Sequence, residues 1–363
     1  METKPLRLFS YTRSASDQHC ERARYYAREW GGTGLQSVGP AGWALVYGNI
    51  GHQALEELAK TGTCDFIQWR KKIEEEAPNS GYDQVAARDW GALMEGQLRG
   101  FCKAIWPFLL AEYDIVEAEK WIELEVEPGL IFRARQDLLL KNKFDGHYCY
   151  VDYKFVGNTD PKWIKSWNKS IQLHSSMYAL NQSTGCPVDR AIVIGLNKGY
   201  EDRKTKLRRS PFTYGYANRE FSMTPAYSVE YQRSRGWELF STAAEFSDLS
   251  EWVDQIPQPI LSEQLAQTAP IFLREDMAQE WLRQQAMREG EVGDACIRLA
   301  ESTSIEEINT ILAKHFRQNF DKCEPAYGFE CEFRNICWIP SVGADPLGSG
   351  QFTRYESDLG EKE

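Results

Sequence analysis

The chain has 363 residues, enough to bury a large core as one elaborated domain or two. Its formal net charge is −11 at pH 7, so general basicity advertises no nucleic-acid partner, and an anionic substrate needs a local positive patch or bound metal. No apolar run reaches the roughly 18 residues of a membrane span, the opening METKPLRLFSYTRSASD lacks the apolar stretch of a signal peptide, and nine cysteines in such a chain point to a reducing cytoplasm with thiolates available as ligands.

In chain order, Ser16 or Asp17 is expected to cap a helix that carries Cys20, Ala23, Tyr26 and Ala27 on one face. Helices follow over 44–61 and 64–76, then a long helical stretch over 82–117, broken or kinked at Pro107. Its Trp90, Leu93, Met94, Leu98, Phe101 and Ile105 fall at helical spacing. Strands are expected next: 121–126 by alternation, 130–140 after a Pro-Gly turn, and 148–156 after the Asp145-Gly146 hairpin signal. A helix over 161–182 and a buried strand over 191–196 complete an α/β sandwich with a mixed sheet. Residues 197–219 are polar and turn-rich with alternation resuming at 212–216. A helix is expected over 237–256, a connector over 257–270, a helical stretch over 271–316 and a frayed Gly/Ser/acidic tail over 339–363.

Two features carry chemistry. Asp152 and Lys154 lie two apart on one strand and so project from one face, which Asp137 can reach from the neighbouring strand. Two carboxylates converging beside a lysine suit a hard divalent cation such as Mg²⁺, with the lysine orienting a water or stabilising charge on a phosphate. His52, four residues after Gly48 in the second helix, is a further possible metal ligand. The other feature is a set of four cysteines split between the ends of the chain, Cys20 and then Cys323, Cys331 and Cys337 in KCEPAYGFECEFRNIC. Four thiolates satisfy a tetrahedral zinc or an iron–sulfur cluster and would clasp the ends together. Cys64, Cys102, Cys149, Cys186 and Cys296 are scattered and read as ordinary thiols.

Taken in order, Cys20 ahead of Arg22-Ala-Arg-Tyr-Tyr26, Gly48-x3-His52, Asp137, Val-Asp-Tyr-Lys at 151–154, a Gln/Tyr helix and the terminal cysteine triplet form one arrangement. It resembles the RecB/Cas4-type branch of the PD-(D/E)xK nuclease superfamily, in the phage-type exonuclease form with a four-cysteine iron–sulfur cluster. The resemblance implies a restriction-endonuclease-like core, a mixed β-sheet flanked by helices, with helical additions and a terminal Fe–S clasp. It implies Mg²⁺ or Mn²⁺ held by His52, Asp137, Asp152 and the carbonyl of Tyr153, with Asp137, Asp152 and Lys154 catalytic and Lys154 positioning the attacking water. It further implies a structural [4Fe–4S] cluster on Cys20, Cys323, Cys331 and Cys337. Zinc sites usually show tighter cysteine pairs, so the spacings of seven and five with a remote fourth ligand favour the cluster over Zn²⁺.

This chain departs from the family pattern at Ala134, where a glycine is usual, and at Phe155, often threonine. Gln172 and Tyr178, the implied DNA contacts, are six apart instead of four, roughly 240° around a helix. One basic run, Arg203, Lys204, Lys206, Arg208 and Arg209 followed by Tyr214 and Tyr216, offers cations for phosphates and aromatics for stacking.

The expected organisation is a nuclease core with N-terminal helices over 1–256, a helical extension over 257–320, the cysteine segment over 321–340 packed with Cys20, and a flexible tail over 341–363. The expected function is a metal-dependent DNA nuclease, an exonuclease on linear single- or double-stranded DNA in replication, recombination, repair or phage DNA metabolism. The bacterial or phage-infected cytoplasm is the expected location, with no membrane partner. The alternatives are a nucleolytically silent DNA-end-binding or recombination-accessory module and a structure-specific or defence endonuclease.

Overall fold

A computed structural model of the chain describes residues 7–38, 42–157, 159–198, 200–201, 208–209, 265–323, 331–339, 343 and 345–355. They fall into two units interleaved along the sequence: Pro40–Ile122 with Arg135–Glu275, and Met1–Gly39 with Glu123–Ala134 and Asp276–Glu363.

In the first of these units, helices α3 (Trp43–Thr61), α4 (Phe66–Glu76), α5 (Gln84–Ala104) and α6 (Trp106–Glu112) precede strand β3 (Tyr113–Glu127). Aspartates start two of them: Asp65 accepts the Gln68 amide and Asp83 the Ala86 amide, as N-cap carboxylates do for the unpaired first-turn donors. Gly62, at φ 75°, ends α3 in the left-handed conformation that glycine adopts without strain. Pro107 sits in the first turn of α6, where its missing N–H costs nothing, so the long stretch is two helices meeting at Ile105. The chain is already extended at Tyr113, so the helix expected to reach 117 is instead the start of β3.

β3 pairs with β4 (Leu130–Asn142), which runs antiparallel to β5 (Tyr148–Val156). β6 (Val188–Asn197) lies parallel to β5 on its other side. β9 (Leu265–Gln267) and β10 (Ile271–Phe272) both pair antiparallel with β6. The sheet is mixed and flanked by helices, as expected from the sequence. Leu138, Leu140, Val151, Tyr153, Ile192 and Ile194 alternate inward onto α3 and α5 in one buried cluster. The opposite face of β5 looks toward α8 (Ile171–Thr184), whose Ser176 hydroxyl meets Tyr150. The helix expected over 161–182 is broken: α7 (Pro161–Ser166) runs into a 3₁₀ turn at Trp167–Lys169, and extended Ser170 separates it from α8. β9 and β10 replace parts of the expected connector and helix, because Leu265, Ala266 and Ile271 bury against the sheet. Two-residue strands β7 (Tyr200–Glu201) and β8 (Arg208–Arg209) pair with each other. The expected elements at 212–216 and 237–256 lie outside the described residues.

In the other unit, β1 (Arg7–Phe9) pairs parallel with the start of β4 at Leu130–Phe132. α1 (Tyr11–His19) ends before Cys20, whose extended backbone (φ −164°, ψ 115°) caps α2 (Glu21–Arg24) and a π-turn at Tyr25–Glu29. The single helix expected through Cys20 is thus two. α9 (Glu275–Glu301) and α10 (Ile305–His315) follow, then α11 (Arg334–Trp338). β2 (Leu35–Ser37) pairs with β11 (Phe352–Arg354), so part of the segment expected to fray is held in a two-stranded sheet. Burying Phe352 against Tyr26, Leu35 and Phe333 stabilises that pairing.

Candidate metal centre

The site begins with a close approach of helix to sheet. An added Cβ at Gly51 would lie 2.2 Å from the Phe155 ring, so α3 rests on β5 only because residue 51 has no side chain. Phe155 fills the space against Tyr47, edge-to-face at 5.9 Å, and approaches the His52 ring at the same distance. The phenylalanine in place of threonine is therefore matched to the glycine before the histidine. His52 is delivered from α3 to the edge of β4.

There the β4–β5 ladder stops. It pairs Lys141 with Tyr148 through to Leu138 with Val151 and goes no further, although both strands continue. Asp137 fills the gap with its side chain, Oδ2 accepting the Tyr153 amide at 2.6 Å. A carboxylate lying between two strands is open to both faces of the sheet. His52 Nδ1 reaches it from one face, 3.3 Å from Oδ1. Asp152 and Lys154 project from the other face of β5. Lys154 Nζ donates to Asp152 Oδ1 at 3.0 Å and lies 2.8 Å from Oδ2.

Glu119 completes the arrangement, and the sequence did not single it out. It is one of seven acids between residues 112 and 127, and nothing in their spacing distinguishes it. Its backbone does: φ is +54°, the only positive value at a non-glycine residue among those described, a strained conformation that clusters at functional sites. Its side chain, 4 % exposed, pairs with Arg135 and lies 3.7 Å from His52 Nδ1. His52, Glu119 and Asp137 offer ligand atoms all within 4.8 Å of one another.

The charges are strongly differentiated. Burial works to lower the His52 pKa, but the Asp137 charge and hydrogen bonds to Asp137 and Glu119 push it up to about 10. Burial would raise Asp137, yet His52, Lys154 and the Tyr153 amide hold it below the usual carboxylate range. Asp152 goes the other way, raised by burial and by Asp137 against the pull of Lys154. Both of its buried oxygens depend on the one Lys154 ammonium, at 3.0 and 2.8 Å, which leaves lone pairs for a further ligand. Two acids at one imidazole, with a third behind them on the same strand pair, fit a divalent cation with oxygen and nitrogen ligands. Asp152 stands outside the closest trio, and Tyr153 enters through its amide, which orients Asp137.

The remaining expected residues are placed elsewhere. Gln172 and Tyr178 are both half-buried on α8. Arg203, Lys204 and Lys206 lie outside the described residues, and of Arg208 and Arg209 only their backbone, in β8, is described. The four cysteines share a neighbourhood. Cys20 Sγ accepts the Asn319 amide at 3.4 Å, Cys323 Sγ donates to the Asn319 carbonyl at 3.7 Å, and the Cys331 amide points to the Cys323 carbonyl. Burial raises the Cys331 and Cys337 thiols, and the nearby thiols of Cys20 and Cys323 push in the same direction. The four sulfurs do not form a group as tight as the His52 trio.

No helix among the described residues is long and apolar enough to cross a membrane. The PD-(D/E)XK nuclease superfamily model matches residues 8–338, and the chain belongs to that superfamily. No curated protein matches it.

Proposed function

We propose that the protein is a metal-dependent DNA exonuclease of the RecB/Cas4-like branch, with Asp137, Asp152 and Lys154 as its catalytic set. The observation that carries this reading is the opening between β4 and β5, where Asp137 meets His52 from one face and stands beside Asp152 and Lys154 on the other. His52, Glu119, Asp137 and Asp152 would hold Mg²⁺ or Mn²⁺, with the Tyr153 carbonyl as a further ligand. Such a cation supplies a Lewis acid for a phosphoryl oxygen and an acidified water. Asp137, fixed by the Tyr153 amide, keeps its charge and orients His52. Lys154 is held beside Asp152, where its ammonium can orient the attacking water and stabilise charge developing on the phosphate. Burial of Asp152 excludes bulk water from its side of the pair, which strengthens both interactions.

The four cysteines are proposed to hold a structural [4Fe–4S] cluster. Their long, uneven spacing favours that over a zinc site, which usually has tighter cysteine pairs.

End-labelled linear DNA incubated with Mg²⁺ or Mn²⁺ tests the reading. Wild type should degrade it, Lys154→Ala should be slower by about 10²–10⁴-fold, and a covalently closed circle should survive. Degradation of the circle would replace the exonuclease by an endonuclease. Equal rates for wild type and Lys154→Ala would remove the assigned site.

A further inference from the structure

Immediately after the site strand, residues 161–169 bring three lysines and two tryptophans together. Asp160 caps α7, its carboxylate accepting the Trp163 amide at 2.8 Å, and the turn continues through Trp167–Lys169. Trp163 and Trp167, four apart, pack edge-to-face at 5.6 Å. Trp163 lies against the sheet over Gly195, where an added Cβ would stand 2.6 Å from its ring, and Gly195 is the β6 partner of Lys154. The Trp167 ring lies 5.6 Å from Lys154 Nζ. Its indole N–H is buried and finds no acceptor among the described residues. Beyond the turn, the fully buried His174 accepts the Arg274 amide on Nδ1 at 3.2 Å, so Nε2 carries the proton and donates to the Asn168 carbonyl at 3.3 Å. The segment is therefore fixed at its start, middle and end, with its tryptophan face turned to the catalytic lysine.

Lys162, Lys165 and Lys169 are all exposed. Spacings of three and four place them in one stripe, away from the tryptophans. From Lys162 to Lys169 the α-helical and 3₁₀ turns together rise roughly 10–12 Å, and one strand of a duplex presents a phosphate every ~3.4 Å along the axis, so the stripe spans about three phosphates. Residues 161–169 contain no acid, and Asp160 just before them is occupied by the cap. In a chain of net charge −11, a fixed cationic stripe next to a phosphodiester-cleaving site is where local attraction for a polyanion can reside.

Resting on the nuclease reading, we propose that residues 161–169 are the track that grips the DNA backbone beside the metal centre, with Lys162, Lys165 and Lys169 as its phosphate contacts. Trp167 joins the track to Lys154.

The test uses full-length Asp152→Asn protein as the parent and measures DNA affinity against salt concentration. Lys162→Gln/Lys165→Gln/Lys169→Gln should weaken binding at least tenfold and lower the log–log salt slope by about 2–3, since each phosphate contact contributes roughly 0.7–0.9. A control of equal net charge, Lys71→Gln/Lys103→Gln/Lys314→Gln, uses exposed lysines elsewhere and should match the parent. Arginine at the three track positions should preserve the slope. If the triple variant does not fold, the three single variants give the same reading, each lowering the slope by about 0.7–0.9. Equal slopes for track and control variants would overturn the track while leaving the nuclease reading intact. A wild type that neither binds nor cuts DNA would remove the nuclease reading itself, and the track with it.

Discussion

Asp137 and Asp152 are the same residue type on neighbouring strands, yet one is held charged and the other is pushed toward neutrality. The difference is their partners: Asp137 has the His52 imidazole, Lys154 and a backbone amide, whereas Asp152 has Lys154 alone against its burial and the Asp137 charge. Ionised Asp152 therefore strains the metal-free protein. Asp152→Asn should not lower the metal-free Tm, while the Tm increase that Mn²⁺ gives wild type should shrink or vanish; calorimetry with and without the ion reads both. His52 adds a pH dependence. Its raised pKa means the imidazolium stabilises metal-free protein fully below about 6.5, and this contribution is lost as pH rises toward about 10. A cation bound at His52 must displace that proton. Titration calorimetry at pH 7.5 in buffers of different ionisation enthalpy should register proton release on Mn²⁺ binding, and close to one proton fewer for His52→Ala.

At the scale of elements, the seating of α3 on β5 sets the site. The Gly51–Phe155 approach leaves no room for a methyl group, so Gly51→Ala should cost about 1–3 kcal/mol by overpacking and move His52 away from Asp137. Shortening the facing ring should restore room. Gly51→Ala/Phe155→Leu should recover more Mn²⁺ affinity than the two single changes predict additively, because residues in contact couple. A purely additive double mutant would mean that α3 is located by other contacts. The sequence displayed Gly48-x3-His52 as a pattern but not the role of Gly51, since the phenylalanine opposite it lies on a strand a hundred residues further along. The turns were easier to read. The Pro-Gly before Leu130 and Asp145-Gly146 act within a few residues of themselves, and the strands they open, β4 and β5, follow the sequence closely.

For the molecule as a whole, the unit that contains both terminal regions is tied by buried charge. Glu29 meets Arg7, Arg13 and Arg24, and Glu289 of α9 meets Arg7 and Arg24. Burial would raise Glu29, but the three guanidinium groups bring it down to about 2. That depression corresponds to roughly 3 kcal/mol, present above pH 4.5 and lost as pH falls from about 4.5 to about 2. Glu29→Gln should therefore flatten the acid limb of a stability–pH curve and lower Tm at pH 7. The proposed cluster makes a separate demand on the same unit. Anaerobically purified protein should carry about four irons, and Cys331→Ser should lose them together with stability. One zinc and no iron would keep the clasp and replace the cluster.

The sequence by itself determined the order of helices and strands around 43–197 and the candidates Asp137, Asp152, Lys154 and His52, of which the structure brings His52 and Asp137 together. The elements rest on short-range spacing: alternation along a strand, periodicity along a helix, a turn residue at a fixed offset. Only the tertiary structure decided that Glu119 belongs with His52 and Asp137, because its distinction is a backbone conformation and an Arg135 partner, not a position in a pattern. Strand status for 265–267, 271–272 and 352–354 was also settled there. These segments are two or three residues long and gain their stability from the sheet edge they join, a partner distant in sequence. The break at Ser170 is of the same kind. It lets Trp167 sit beside Lys154, and no local signal in 161–182 requires it.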